Sequence, residues 1–240
     1  MTYTLWYWPS IPGRGEFVRL ALEAGNIPYV DAARERGADA LIADMQARQQ
    51  DAMGGRTPFA PPYLQSEGLV VAQVANIVLF LGEQHGLAPD GMADRLWLHQ
   101  LQLTIADMVA EVHNVHHPVA VSAYYHEQKA EAARAATQFR DERIPKFLAH
   151  FDVAARATPG DWLTGDRWSY ADLSLFQLVE GLRYMFPRRM AAAESDYPAL
   201  IAIRDRVAAL PELRDYLASD RRIPFNEDGI FRHYPELDGE

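Results

Sequence analysis

Residues 57–82 read TPFAPPYLQSEGLVVAQVANIVLFLG. Pro61 and Pro62 stand side by side directly before a segment that reads as a β-strand. Proline cannot donate to a strand ladder and ordinarily ends regular structure. Beyond them, YLQ and LVV flank the turn SEG, which is the pattern of a β-hairpin. The apolar AQVANIVLFLGEQHG follows as a helix closed by Gly86.

Upstream of the prolines, residues 3–8 (YTLWYW) read as an aromatic strand buried on both faces. SIPGRG is a turn. In EFVRLALEAGN, Phe17, Leu20, Ala21 and Ala24 fall at i, i+3, i+4 and i+7, an amphipathic helix stopped by Gly25 and Asn26. IPYVDA is a short strand, and residues 38–50 form a more polar helix ended by Gly54 and Gly55. The order is β-α-β-α-β-β-α, which argues for a compact α/β domain over residues 1–86. LAPDGMAD reads as a linker, and residues 87–240 read as an all-helical domain. In it, 92–117 and 122–157 are long periodic stretches separated by HHPVAV. SYADLSLFQLVEGLRYMF is apolar on nearly every face, as a buried central helix should be. PALIAIRDRVAAL and PELRDYLAS are shorter helices, and the tail from Asp220 is irregular.

Composition narrows the function. The chain has 240 residues and a formal net charge of −10, so a nucleic-acid backbone is an unfavourable partner. Cysteine is absent, which excludes disulfides, thiolate nucleophiles and cysteine-ligated metals in the chain itself. The N-terminus MTYTLWYWPS lacks the basic and apolar regions of a signal peptide. No apolar run of about 18 residues marks a membrane span. A cytoplasmic location is the expectation. Arginines number 21 against the two lysines Lys129 and Lys146.

Three local patterns resemble the cytosolic glutathione transferases, and together they span almost the whole chain. PYLQSEGLVVAQ is similar to that family's Pro-x-Leu strand start, acidic-Gly turn and Gln-Ser helix start. WSYADLSLF resembles its N-capping motif, with Ser169 and Asp172 as an S-x-x-D capping box and Trp168 and Leu173 as a hydrophobic staple. YTLWYWPSIPGRGEFVRL resembles the first strand and helix of the tyrosine-type classes. The resemblance implies a thioredoxin-like domain followed by a helical one, a homodimer, and glutathione as co-substrate. It makes Pro62 the cis-proline before the third strand, since Leu64 follows by two positions and Gln73 by eleven.

The resemblance also implies roles. Tyr7 matches the tyrosine that meets the bound thiol; its alternative is a packed strand aromatic. The turn is one residue longer than in the pi or sigma pattern, which leaves Ser10 as the second candidate. Glutathione would be held by Pro61, by Gln73 and Val74 at the start of the helix, and by Asp107 acting across a dimer. Arg14, Arg48 and Arg56 are further candidates for its anionic ends. Two positions depart from the family pattern: Pro61 has no N–H, and Val74 stands where a hydroxyl is expected. The electrophile site is expected around Trp8, Ile11, His113 and the aromatic tail at Phe225, Ile230 and Phe231. His113, His116 and His117 lack further partners at metal-ligand spacing, so no metal is expected. Alternatives are a transferase-fold binding module without catalysis, and glutathione-dependent peroxide reduction or isomerisation.

Overall fold

The computed structural model describes residues 2–50 and 56–239. The glycine stop expected at Gly54 and Gly55 lies outside the described residues. The chain divides into two compact units, one of residues up to Ala88 together with Leu210–Pro224, the other of Pro89–Ala209 together with the tail from Phe225.

The first unit is built on a four-stranded mixed sheet: β1 (Tyr3–Trp6), β2 (Tyr29–Asp31), β3 (Tyr63–Ser66) and β4 (Leu69–Ala72), in the order β2-β1-β3-β4. β1 runs parallel to β2 and antiparallel to β3, and β3 and β4 form the expected hairpin. Its turn is Glu67-Gly68, both at positive φ (36° and 84°), the backbone a two-residue hairpin requires. Side chains alternate along β1. Tyr3 meets α4 (Val74–His85), its hydroxyl 2.8 Å from His85 Nε2. Trp6 points the other way, stacks on Tyr63, and packs with Ala32, Ala33 and Leu41.

The amphipathic helix α1 (Gly15–Ala24) buries Phe17, Leu20, Ala21 and Ala24 and packs with α4. The polar helix expected over 38–50 forms with those bounds. A further short helix, α2 (Ala32–Arg36), precedes α3 (Ala38–Gln50), and the break falls at Gly37 with φ 88°, a conformation that glycine adopts without steric cost. Gly86 closes α4 in the left-handed conformation with its N–H on the Gly82 carbonyl.

The second unit is helical: α5 (Met92–His116), α6 (Lys129–Gln138), α7 (Ile144–Ala155), α8 (Tyr170–Met185), α9 (Pro187–Ala193) and α10 (Pro198–Ala208). The stretch expected to be helical from residue 122 begins only at Lys129. The buried Gln128 side chain is the reason. Its Oε1 accepts the Val119 N–H (2.9 Å), and its Nε2 donates to the carbonyls of Ala120 (3.1 Å) and Ala123 (2.9 Å). These bonds hold residues 119–123 as a loop. Between α6 and α7 the backbone widens into a π-turn at Phe139–Arg143, next to Pro145, which has no N–H to continue an α-helical ladder. α9 is absent from the expected elements. It starts on Pro187, and Asp238 caps it by accepting the N–H groups of Arg188 (2.8 Å) and Arg189 (3.3 Å).

The helix read as central is so: α8 is buried along most of its length. Asp172 accepts the Ser169 N–H (2.8 Å), the Ser169 hydroxyl (2.5 Å) and the Leu163 N–H (3.0 Å), satisfying groups that a buried helix start would otherwise leave bare. The irregular tail is fixed against the same unit. Phe225 stacks on Tyr184, and Phe231 lies over Gly181, where a Cβ would meet the Phe231 ring at 2.5 Å. α11 (Arg214–Leu217) belongs to the first unit. Among the described residues no helix is long and apolar enough to cross a membrane.

Candidate functional site

The register of the sheet gathers one end of the first unit. Trp6 on β1 pairs with Tyr63 on β3, and Tyr63 pairs with Ala72 on β4. The residues just beyond that row are Tyr7, Pro62 and Gln73. Tyr7, the Pro61–Pro62 peptide and the start of α4 therefore leave the sheet at the same edge. The Pro61–Pro62 bond is cis.

Tyr7 is only 4% exposed. The turn that follows folds over its ring. A Cβ on Gly13 would stand 2.2 Å from the Tyr7 hydroxyl oxygen, and one on Gly15 would stand 2.4 Å from the ring. Both positions must therefore be glycine for the turn to close this tightly, and Gly13 adds a positive φ of 44°. The Arg14 N–H donates to the Tyr7 hydroxyl oxygen at 2.9 Å. The guanidinium of Arg19 lies 5.8 Å from the ring centroid. Burial raises the Tyr7 pKa, opposed by the Arg14 N–H and by the charges of Arg14 and Arg19. Tyr7 is thus a protonated phenol at neutral pH. Its oxygen accepts the Arg14 N–H, and as a phenol it still carries one O–H donor. Such a group donates a hydrogen bond.

Around it, Trp8 is 38% exposed, Ser10 is exposed, and Ile11 and Arg14 are half-buried. Pro61 is half-buried and Pro62 buried. Gln73 is exposed and holds φ 71°, ψ 124°. A non-glycine residue there is strained, and such strain concentrates where backbone is aimed at a ligand. Val74 is the first residue of α4, whose leading N–H groups carry the positive end of the helix dipole.

The other expected residues lie elsewhere. Arg48 is committed to a cluster on α3 and β3. It pairs with Asp44 (2.5 Å), donates to Gln65 (2.8 Å) and lies over Tyr63, whose hydroxyl donates to the same Asp44 carboxylate at 2.5 Å. Arg56 is exposed. Asp107, His113 and Phe225 belong to the helical unit. Asp107 is exposed on α5 and makes no ion pair among the described residues. His113 and His117 stack at 4.8 Å, and His116 is buried with Nε2 on the Ile230 carbonyl at 2.8 Å. Burial holds His116 neutral, its pKa lowered to about 3. Among the described residues no group of histidine and acidic side chains could hold a metal.

Sequence reasoning missed the groups beneath Tyr7. Glu16 and Arg19 are both fully buried, 3.5 Å apart, on a helix whose neighbouring positions are apolar. A charged i, i+3 pair bordering an apolar face was the available signal.

A four-stranded mixed sheet unit joined to a helical unit is the architecture of the glutathione transferases. The family model "Glutathione S-transferase, C-terminal domain" matches residues 113–220. A glutathione S-transferase of Plasmodium yoelii yoelii is 22% identical over 86% of this chain and 89% of its own length. Glutathione S-transferase A1 of Bos taurus is 23% identical over 91% of this chain and 90% of its own. Among solved structures, the pi-class glutathione S-transferase of Onchocerca volvulus superposes with a TM-score of 0.71 at 20% identity, covering 95% of this chain and 99% of that one. Prostaglandin synthase D of Nilaparvata lugens superposes at 0.69 with 19% identity, covering 93% and 100%. Residues 113–220 thus match the C-terminal domain family of the glutathione S-transferases, and the chain is similar to glutathione S-transferases in sequence and in fold over most of its length.

Proposed function

We propose that the protein conjugates the thiolate of glutathione to small hydrophobic electrophiles, with Tyr7 as the group that meets the sulfur. The observation that carries this reading is the Tyr7 hydroxyl: buried, protonated, accepting the Arg14 N–H at 2.9 Å, at the sheet edge shared with the cis-proline. A cysteinyl thiol has a pKa of about 8.5, so only a few per cent is ionised at pH 7. Lowering that pKa by about two units needs about 2.7 kcal/mol of preference for the anion, and one hydrogen bond to a charged group supplies ~1.5–3 kcal/mol. Tyr7 need not accept the proton. Donating to sulfur is enough. Ser10, exposed in the same turn, is the second candidate.

The tripeptide meets Pro61, Gln73 and Val74 at this edge. Pro61 offers its carbonyl and no N–H. Val74 offers no hydroxyl, but the N–H groups at the start of α4 remain for a carboxylate. Arg14 supplies positive charge nearby. Binding is therefore weaker than at a site that keeps both of these bonds. Trp8 and Ile11 provide apolar surface on the turn after Tyr7. We also propose a homodimer, supported by the exposure of Phe59 (91%) and of Met92, Leu96 and Leu103 along α5.

A second reading uses the same thiolate to isomerise a substrate without leaving an adduct. The likeness in fold to a prostaglandin synthase D supports considering it. A non-catalytic binding role is favoured by Pro61 and Val74. Titration with glutathione, with conjugation assays of wild type and Tyr7→Phe, separates them. Saturable binding and adduct formation that collapses in Tyr7→Phe supports conjugation. Turnover with no adduct and unchanged free thiol supports isomerisation. No binding at millimolar glutathione rejects both.

A further inference from the structure

The ionic cluster under Tyr7 is closed by residues 200 positions away. Glu16 Oε1 accepts the Tyr216 hydroxyl at 2.6 Å and an Arg222 N–H at 2.7 Å. The other carboxylate oxygen faces Arg19 Nη1 at 3.5 Å. Arg19 pairs with Asp31 through Nε at 2.7 Å, and its Nη1 donates to the Pro12 carbonyl at 3.4 Å. Pro12 also accepts the Glu16 N–H at 2.9 Å. Pro12 immediately precedes Gly13 and Arg14, the residues that cover Tyr7.

Buried ion pairs seldom add stability over apolar side chains of the same volume, because desolvation offsets the attraction. Removing one partner is costly, since a buried charge is left uncompensated. Placing such a cluster here fixes the direction of Arg19 and hence the height of the turn. We propose that Glu16, held by Tyr216 and Arg222, is a positioning residue for Tyr7: it keeps Arg19 on the Pro12 carbonyl so that the Arg14 N–H stays on the Tyr7 hydroxyl. The catalytic part of the proposal rests on the reading of Tyr7 as the thiol-contacting group. The charged groups around Tyr7 are Arg14 and Arg19. Those around Glu16 are Arg19 and Arg222, with the Tyr216 hydroxyl, and Asp31 faces Arg19. Removing Arg222 takes away one of the two cations paired with Glu16. Removing the Tyr216 hydroxyl lets the carboxylate draw Arg19 off Pro12. Both weaken what favours hydrogen-bond donation by Tyr7.

The test compares Tyr216→Phe, Arg222→Gln, Arg222→Lys and, as a control in the same segment, Arg221→Gln, whose native partner is Glu23 at 2.6 Å. The first readout needs no glutathione: amide hydrogen exchange at Arg14, measured by NMR on the full chain. We expect about tenfold faster exchange in Tyr216→Phe and Arg222→Gln, little change in Arg221→Gln, and partial recovery in Arg222→Lys. The second is the thiol pKa of bound glutathione, followed by thiolate ultraviolet absorbance. It should rise by about half a unit, lowering kcat about 1.5-fold at pH 7 and about threefold well below the thiol pKa, with the glutathione Kd unchanged. Folded Tyr216→Phe and Arg222→Gln proteins with native exchange at Arg14 would overturn the proposal, as would an equal effect in Arg221→Gln. If the wild type binds no glutathione, the transferase reading fails while the exchange measurement still decides the positioning role.

Discussion

The Arg14 N–H and the Tyr7 hydroxyl oxygen are 2.9 Å apart, and the donor is the backbone. The oxygen is thereby engaged by the backbone of the turn, and the phenol keeps its O–H as a donor. This arrangement needs no charged side chain in contact with the hydroxyl.

Tyr7→Phe removes the donor to sulfur and keeps the ring that packs under Gly13 and Gly15. We expect kcat to fall about 10- to 100-fold, in line with losing a hydrogen bond to a charged group worth ~1.5–3 kcal/mol. The glutathione Kd and the thermal midpoint should hardly move. Steady-state kinetics beside calorimetric titration checks this.

Gly13→Ala places a methyl group 2.2 Å from the Tyr7 oxygen at φ 44°. The turn must open or Tyr7 must move. Stability should fall by ~1–3 kcal/mol, with activity falling further than the unfolded fraction explains. Denaturant midpoints measured alongside activity at full folding separate the two effects.

Val74→Ser restores a hydroxyl at the first turn of α4, beside the N–H groups proposed to receive a carboxylate. A gained hydrogen bond of ~0.5–1.5 kcal/mol corresponds to a glutathione Kd lower by about 2- to 13-fold. An unchanged Kd would show that the carboxylate lies elsewhere.

His116 is held neutral, its pKa lowered from 6.5 to about 3 chiefly by burial, with Arg232, His113 and His117 acting in the same direction and the Ile230 carbonyl against it. Below pH 6.5 the unfolded chain binds a proton that the native state refuses. Its contribution to stability is therefore complete above pH 6.5 and is lost as pH falls toward 3. Asp172 works oppositely, since burial raises its pKa from 3.8 to about 6, so its share is present at low pH and lost as pH rises through 6. His116→Asn isolates the first effect. Relative to the variant, the wild type should lose up to about 2 kcal/mol between pH 7 and 5, read from urea midpoints.

The elements carried by local chemistry were legible in the sequence. Glu67-Gly68 announced the hairpin, Gly86 the end of α4, and Ser169 with Asp172 the start of α8. The cis bond fell at Pro62, where spacing to Leu64 and Gln73 had put it. What escaped depends on side chains reaching across the chain. Gln128 holds its upstream loop through one amide, which periodicity cannot register, so α6 began seven residues later than its pattern. α9 is capped by Asp238, some fifty residues away. Arg48 reads as a free cation in sequence, yet Asp44 lies one helical turn before it and claims it. Glu16 and Arg19 were visible as charges on an apolar helix, but their partners Tyr216 and Arg222 sit in an unrelated short helix and turn.

Those partners bear on how the chain is made. The segment Leu210–Pro224 belongs to the unit formed by the first residues of the protein, and it supplies both donors to one oxygen of a fully buried carboxylate. During synthesis the sheet and its helices leave the ribosome long before that segment does. Until it arrives, Glu16 has no counterpart there and must remain hydrated, so the turn over Tyr7 cannot close in its final form. A fragment ending at Ala88 would stay in that state permanently. The first unit is finished only once the segment Leu210–Pro224 has been translated.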